Sequence, residues 1–293
     1  MTIGTMRELA KPPVAVPSTQ KAAAPKPLIL IFDSGVGGLS VMGEVTAHLP
    51  GFRIAYAADN FAFPYGGKAG DELIARVTDV IGRLSERIAP DAVIIACNTA
   101  STVALDAVRQ IVPIPVIGVV PAVKPAAEAS RTRTIGLLGT AATVVSPYTT
   151  SLIDRFAQGS EVIRCGAPEL VEAAERKLQG LPVDQSAVRA VSKRLFGAPR
   201  GEAIDVVVLG CTHFPLLLPE LKQAAPRSVT WMDSGAAIAR RMATIFGVKP
   251  GSEPGEIASP PHRAIFTAAT PSVERMRDAL TGLGFGEIEI LVS

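Results

Sequence analysis

Two similar parallel-sheet α/β domains facing each other across a cleft are the architecture this chain predicts, on two observations. Short β-branched runs alternate with helix-length segments through short turns, the pattern of parallel strands joined by right-handed crossovers. The chain also echoes itself twice. Asp91-Ala-Val-Ile-Ile-Ala-Cys97-Asn98-Thr99 is matched by Asp205-Val-Val-Val-Leu-Gly-Cys211-Thr212-His213, and Phe32-Asp33-Ser34-Gly35 by Met232-Asp233-Ser234-Gly235. Each Cys sits where a buried strand gives out, and ligands of open α/β sheets bind beyond the carboxyl ends of strands. Both thiols therefore point at the expected site.

In order along the chain, Met1 to Pro27 is rich in Ala, Pro and Lys and reads as a disordered tail with no secretory core. Leu28 to Phe32 is a strand that runs into Asp33-Ser34-Gly35-Val36-Gly37-Gly38 and a helix over Leu39–His48. The turn has neither the G-x-G-x-x-G spacing nor a terminal Gly-Lys-Ser/Thr, so a carboxylate or tight packing fits it better than a nucleotide phosphate. Arg53 to Ala58 is a second strand. Phe61-Ala-Phe-Pro64-Tyr65-Gly66-Gly67-Lys68 then reads as a surface turn, although loops on a rigid scaffold are also where binding groups sit. A helix over Asp71–Ile88 precedes the first Cys strand, and Val116 to Val120 adds another strand.

A second series starts with a strand at Thr134 to Leu138, then Gly139-Thr140-Ala-Ala-Thr143, whose hydroxyls suit helix capping. Val162 to Cys165 is a short strand and Pro168 to Leu178 a helix carrying Glu169, Glu172 and Glu175. Phe214 to Ala225 can be helical. A helix over Ser272–Leu283 and a strand over Ile288–Val292 close the chain. The expected division is 28–121 plus 230–293 as the first domain and 122–229 as the second.

Composition narrows the function classes. The chain has 293 residues, 48% hydrophobic and 19% charged, which is globular. A net charge of +2 and 5% aromatic residues argue against a nucleic-acid partner. No apolar run approaches the roughly 18 residues of a membrane span. Three cysteines make a disulfide framework a poor fit and suggest free thiols of a reducing cytoplasm.

Five uses of Cys97 and Cys211 compete. A zinc site would want paired ligands at close spacing, which Cys97, Cys211 and His213 lack, so no metal is expected. A redox pair favours C-x-x-C. A Cys211–His213 nucleophile leaves Cys97 idle, and two inert buried thiols would not need their Asn, Thr and His neighbours. The fifth use employs both: one thiolate takes a proton from one face of a carbon while the opposite thiol returns one to the other face, inverting a stereocentre without a cofactor. Cys165 reads as structural.

Phe32-Asp-Ser-Gly-Val-Gly-Gly-Leu39, Phe63-Pro-Tyr-Gly66, Cys97-Asn-Thr-Ala-Ser101, Gly139-Thr-Ala-Ala-Thr143 and Leu209-Gly-Cys-Thr-His213 together resemble the glutamate racemases, over essentially Leu28 to Ser293. The aspartate racemases are similar in their two cysteines, but the first two motifs favour glutamate. The resemblance implies a cytoplasmic, cofactor-independent enzyme interconverting L- and D-glutamate for peptidoglycan synthesis. Cys97 would deprotonate D-glutamate with help from Asp33, and Cys211 the L-enantiomer with help from His213 and Glu172. Asp33, Ser34, Tyr65, Gly66, Asn98, Thr99, Thr143, Thr212 and His213 would bind the substrate. A homodimer is implied as well, and an interaction with DNA gyrase is the alternative, non-catalytic role.

Overall fold

The computed structural model describes residues 26–248 and 261–291, so the expected N-terminal tail lies almost wholly outside the described residues. Among the described residues, ten strands form two all-parallel sheets. The first is ordered β10-β9-β2-β1-β3-β4, from β1 (Leu28–Asp33), β2 (Arg53–Ala58), β3 (Ala92–Ile95), β4 (Val116–Gly118), β9 (His262–Phe266) and β10 (Phe285–Ile290). The second is ordered β6-β5-β7-β8, from β5 (Thr134–Gly139), β6 (Glu161–Gly166), β7 (Val206–Gly210) and β8 (Thr230–Met232). The two-sheet α/β expectation is met.

Both faces of each sheet are covered, as all-parallel sheets require. Along β1, Ile29 and Ile31 pack on one side of the sheet, while Leu30 and Phe32 pack on the other. Helices α1 (Leu39–His48) and α10 (Gly235–Ile245) close the first side. Helices α2 (Gly70–Ile88) and α3 (Asn98–Ile111) close the second. The sequence of α2 explains its seat: Leu73, Val77, Val80, Ile81 and Leu84 recur at helical spacing and are buried, with Asp71 and Glu72 in its first turn and Arg87 in its last. In the second sheet, Val207 and Leu209 face α7 (Pro168–Leu178), α8 (Gln185–Phe196) and α9 (Leu218–Ala224). Val206 and Val208 face α4 (Val123–Ala129) and α6 (Pro147–Phe156). The short α5 (Ala141–Val145), α11 (Pro271–Arg275) and α12 (Arg277–Gly282) complete the set.

Several expected elements shift. Phe214 to Ala225 begins as a 3-10 turn over Phe214–Leu217, with α9 following. The helix expected over Ser272–Leu283 is broken at Met276 into α11 and α12, and the last strand starts three residues early at Phe285. Thr230–Met232, expected in the first domain, instead pairs with β7 as Val206↔Thr230 to Val208↔Met232. The chain therefore changes sheet between β4 and α4 and again between β8 and α10, and the Ser234 hydroxyl donates to the Val120 carbonyl to tie the two crossings together.

Candidate active site

Parallel pairing brings the carboxyl ends of β1, β2 and β3 together, with Asp33 beside Ala58 and Phe32 beside Ile95. Cys97 lies just beyond β3 as the N-cap residue of α3, in extended conformation and buried. Ser34 Oγ stands 3.9 Å from Cys97 Sγ and donates to Asp33 Oδ1 at 3.2 Å. On the second sheet, Cys211 follows β7 directly and is buried, with Sγ 3.7 Å from Nδ1 of His213.

The two halves meet through the turn after β1. Thr212 Oγ1 donates to Asp33 Oδ2 at 3.0 Å, and Ser40 Oγ donates to the Thr212 carbonyl at 2.8 Å. Glu175 Oε1 accepts the Val36 N–H at 2.8 Å and pairs with His213 Nε2 at 2.9 Å. Only glycine fits at two positions of this turn. A methyl group at Gly35 would overlap Glu175 Oε1, and one at Gly37 would overlap His213 Nδ1.

Both thiols line one cavity of about 570 Å3. Of the expected residues, Ser34, Tyr65, Gly66, Asn98, Thr99, Thr212 and His213 are on its wall. So is the turn from Phe63 to Gly67, which is cavity wall rather than a mere surface turn. Asn98 Nδ2 is buried with no hydrogen-bond partner among the described residues.

Four expectations need correction. Asp33, expected to bind the substrate, is fully buried off the cavity wall, with its carboxylate oxygens held by Ser34 and Thr212. The carboxylate on His213 is Glu175, not Glu172; Glu172 lines the cavity, and Glu175 lies nearly one turn further along α7 on the same face. Thr143 is off the wall, because its N–H and hydroxyl are bonded to Thr140 at 3.1 and 2.9 Å, and Thr140 takes the lining position. The Tyr65 hydroxyl is bound to Asp59 Oδ2 at 2.6 Å, so only the ring and backbone of Tyr65 are free to face a ligand. Glu175 was readable only as one of three acids on a helix. Asp59 was readable only as the end of a strand.

Electrostatics distinguish the two thiols. Burial pushes Cys97 well above the ordinary thiol range, and the Asp33 carboxyl adds to the rise, so Cys97 is a protonated donor at neutral pH. Asp33 is itself raised by burial, against the opposing pull of His213, Thr212 and Ser34. Burial works against charge on His213 too, but its hydrogen bonds and attraction to Cys211 and Glu175 win and hold it well above the usual imidazole value. An imidazolium thus stands beside Cys211 on one wall, and a protonated thiol, Cys97, on the other.

The pattern of the Asp/Glu/hydantoin racemases matches residues 45–242. The chain is 46% identical to the glutamate racemase of Sphingopyxis alaskensis over 91% of this chain and 98% of that one. It is 44% identical to that of Pectobacterium carotovorum over 95% of each. Among solved structures it resembles Escherichia coli glutamate racemase in complex with L-glutamate and the activator UDP-MurNAc-Ala, with a TM-score of 0.84, 42% identity, and coverage of 92% of this chain and 99% of that one. A Bacillus anthracis glutamate racemase isoform aligns with a TM-score of 0.75 at 27% identity over 92% of this chain and 98% of its own. The chain belongs to the Asp/Glu/hydantoin racemase family, within its glutamate racemases.

Proposed function

We propose that the chain is a glutamate racemase in which one thiol takes the substrate's α-proton and the opposite thiol supplies its own, with no cofactor. The observation that carries this reading is the placement of Cys97 and Cys211, each at the end of a strand from a different sheet, on one cavity. For L-glutamate, the Cys211 thiolate takes the α-proton, and the electron pair of the broken C–H bond stays on the α-carbon and spreads into the carboxylate. Cys97 then gives its thiol proton to the opposite face. D-Glutamate, a Cys97 thiolate and a Cys211 thiol result, and the reverse reaction retraces these steps.

Charge accumulating on the α-carboxylate is the part of the transition state that donors can stabilise. Asn98 Nδ2 is a buried donor on the cavity wall, at the start of α3, where the helix dipole also favours an anion. His213, braced by Glu175, assists Cys211, and Asp33 with Ser34 assists Cys97. Ser34, Gly66, Thr99 and Thr212 supply further polar groups to the wall. The D-glutamate formed serves peptidoglycan synthesis. No helix among the described residues is long and apolar enough to cross a membrane. The enzyme is proposed to work as a cytoplasmic homodimer, which sedimentation of the purified chain tests.

The decisive test uses each glutamate enantiomer in deuterium oxide, with no added cofactor. Wild type is expected to racemise both and place solvent deuterium on the α-carbon of the product, while Cys97→Ser and Cys211→Ser each lose racemisation. Turnover of aspartate with none of glutamate, or full activity in either variant, would overturn the reading.

A further inference from the structure

The aromatic turn that walls the cavity is held from behind by an ion pair between a buried carboxylate and a half-buried arginine. Asp59 follows β2 and is fully buried; its backbone N–H donates to the Asp33 carbonyl at 2.8 Å, which fixes it beside the strand that carries the catalytic turn. Its two carboxylate oxygens are fully engaged. Arg76 of α2 donates from Nε to Oδ2 at 2.9 Å and from Nη2 to Oδ1 at 2.6 Å, a bidentate pair. Thr267, just beyond β9, donates its hydroxyl to Oδ1 at 2.7 Å, and Tyr65 donates its hydroxyl to Oδ2. Burial alone would raise the Asp59 carboxyl, but the hydrogen bonds from Arg76, Tyr65 and Thr267 outweigh it, and the group sits below the ordinary carboxylate range.

The same residues grip the start of the turn. The Phe61 N–H donates to Thr267 Oγ1 at 3.1 Å, and the Arg76 guanidinium lies 5.5 Å from the centre of the Phe61 ring. Three elements distant in sequence, β2, α2 and the segment after β9, thus converge on one side chain. The turn they hold then crosses toward the second sheet, where a methyl on Gly66 would lie 3.3 Å from Cβ of Thr140.

We propose that Asp59, Arg76 and Thr267 are positioning residues for substrate binding: by capturing the Tyr65 hydroxyl they set the turn so that its Tyr65–Gly66 backbone, and not the tyrosine hydroxyl, faces glutamate. None of the three lines the cavity: Asp59 holds the Tyr65 hydroxyl, and Arg76 and Thr267 act through Asp59 and through Phe61 at the start of the turn. The inference rests on the racemase reading of that cavity. Loss of the clamp lets the wall move without touching either thiol, so it weakens substrate binding more than it slows proton transfer.

The experiment measures KM and kcat for both glutamate enantiomers at 25 °C in wild type, Tyr65→Phe, Arg76→Gln, Arg76→Lys and Thr267→Val, with thermal midpoints alongside. Tyr65→Phe and Arg76→Gln are expected to raise KM about 5–20-fold with kcat kept within about threefold, as lost ground-state positioning does. Arg76→Lys restores part of the loss through its charge. Thr267→Val, nearly isosteric, gives a smaller rise in the same direction and carries the test if Arg76→Gln does not fold. A purely structural ion pair would lower the midpoints and leave KM within twofold at 25 °C. That result in the folded variants overturns the proposal while leaving the racemase intact, whereas a wild type inactive on glutamate overturns both.

Discussion

Replacing Glu175 by Gln keeps the shape of the side chain and removes its charge. In the native protein, one oxygen of that carboxylate serves both the Val36 N–H at 2.8 Å and the His213 Nε2 at 2.9 Å, and the side chain is only 14% exposed. A charge-assisted hydrogen bond in such a setting is worth about 1.5–3 kcal/mol. If that whole difference is felt when Cys211 abstracts the proton, kcat/KM falls by about 10–150-fold. Because the two enantiomers have equal free energy in water, kcat/KM must fall by the same factor in both directions. The asymmetry appears elsewhere. The primary isotope effect with α-deuterated L-glutamate should grow, since Cys211 performs that abstraction, and the effect with D-glutamate should change less. Polarimetric or circular-dichroism assays of both directions give these numbers. Glu172→Gln, which alters the cavity wall but leaves the imidazole braced, is the control, expected to stay within about threefold of wild type because it breaks no hydrogen bond to His213. If Glu172→Gln lost as much as Glu175→Gln, or if the isotope effect grew for D-glutamate instead, the assignment of Glu175 to the Cys211 side would be wrong.

Other perturbations probe the same assembly. Gly37→Ala would push a methyl into His213 and lie 2.7 Å from Thr212 Oγ1, so activity should fall by about 100-fold, the cost of a misplacement near 1 Å, with the far-ultraviolet spectrum unchanged. His213 has a raised value in the folded state, so its protonation contributes stability that is fully present below the unfolded value of about 6.5 and is lost as pH rises through the folded value. Denaturant titrations should therefore show the stability gap between wild type and His213→Asn narrowing as pH rises through that window; a gap that widened would refute the charged imidazole. Tyr56→Phe removes a buried hydroxyl that donates to the Gly35 carbonyl at 2.6 Å, and should lower unfolding stability by about 1–3 kcal/mol.

Much of this protein was legible in its sequence because its signals are local. The β1, β2 and α7 spans match their expected limits closely, each being an apolar run or periodic stretch bounded by Gly, Pro or Asp. Cys97 and Cys211 were found through their repeated context, and the structure puts both on the cavity. The helix α8 went unread although Asp184 caps it and Val188, Val191 and Leu195 recur on its buried face. The strand β9 is only five residues and has little pattern of its own. The choice between Glu172 and Glu175 was not readable, because residues three apart share a helix face and the packing of α7 decides which one meets His213. The Tyr65–Asp59 bond was equally hidden: a hydroxyl in a site motif looks like a ligand group until its partner, six residues earlier, is seen behind it.

The order of the first sheet has a consequence for how the chain is made. β2 lies between β1 and β9, yet about 200 residues separate the end of β2 at Ala58 from the start of β9 at His262. At synthesis rates of about 5–20 residues per second, β2 waits about 10–40 s on the ribosome with one edge unpaired. That edge belongs to Arg53-Ile-Ala-Tyr-Ala-Ala58, almost wholly apolar and without the Pro or bulge that usually guards an open edge. The second sheet can form meanwhile, since its strands fall within an uninterrupted stretch from Thr134 to Met232. The nascent enzyme thus carries a finished second half attached to an adhesive first half, and aggregation during expression should respond to the chaperones that shield this strand rather than to mutations that weaken the second sheet.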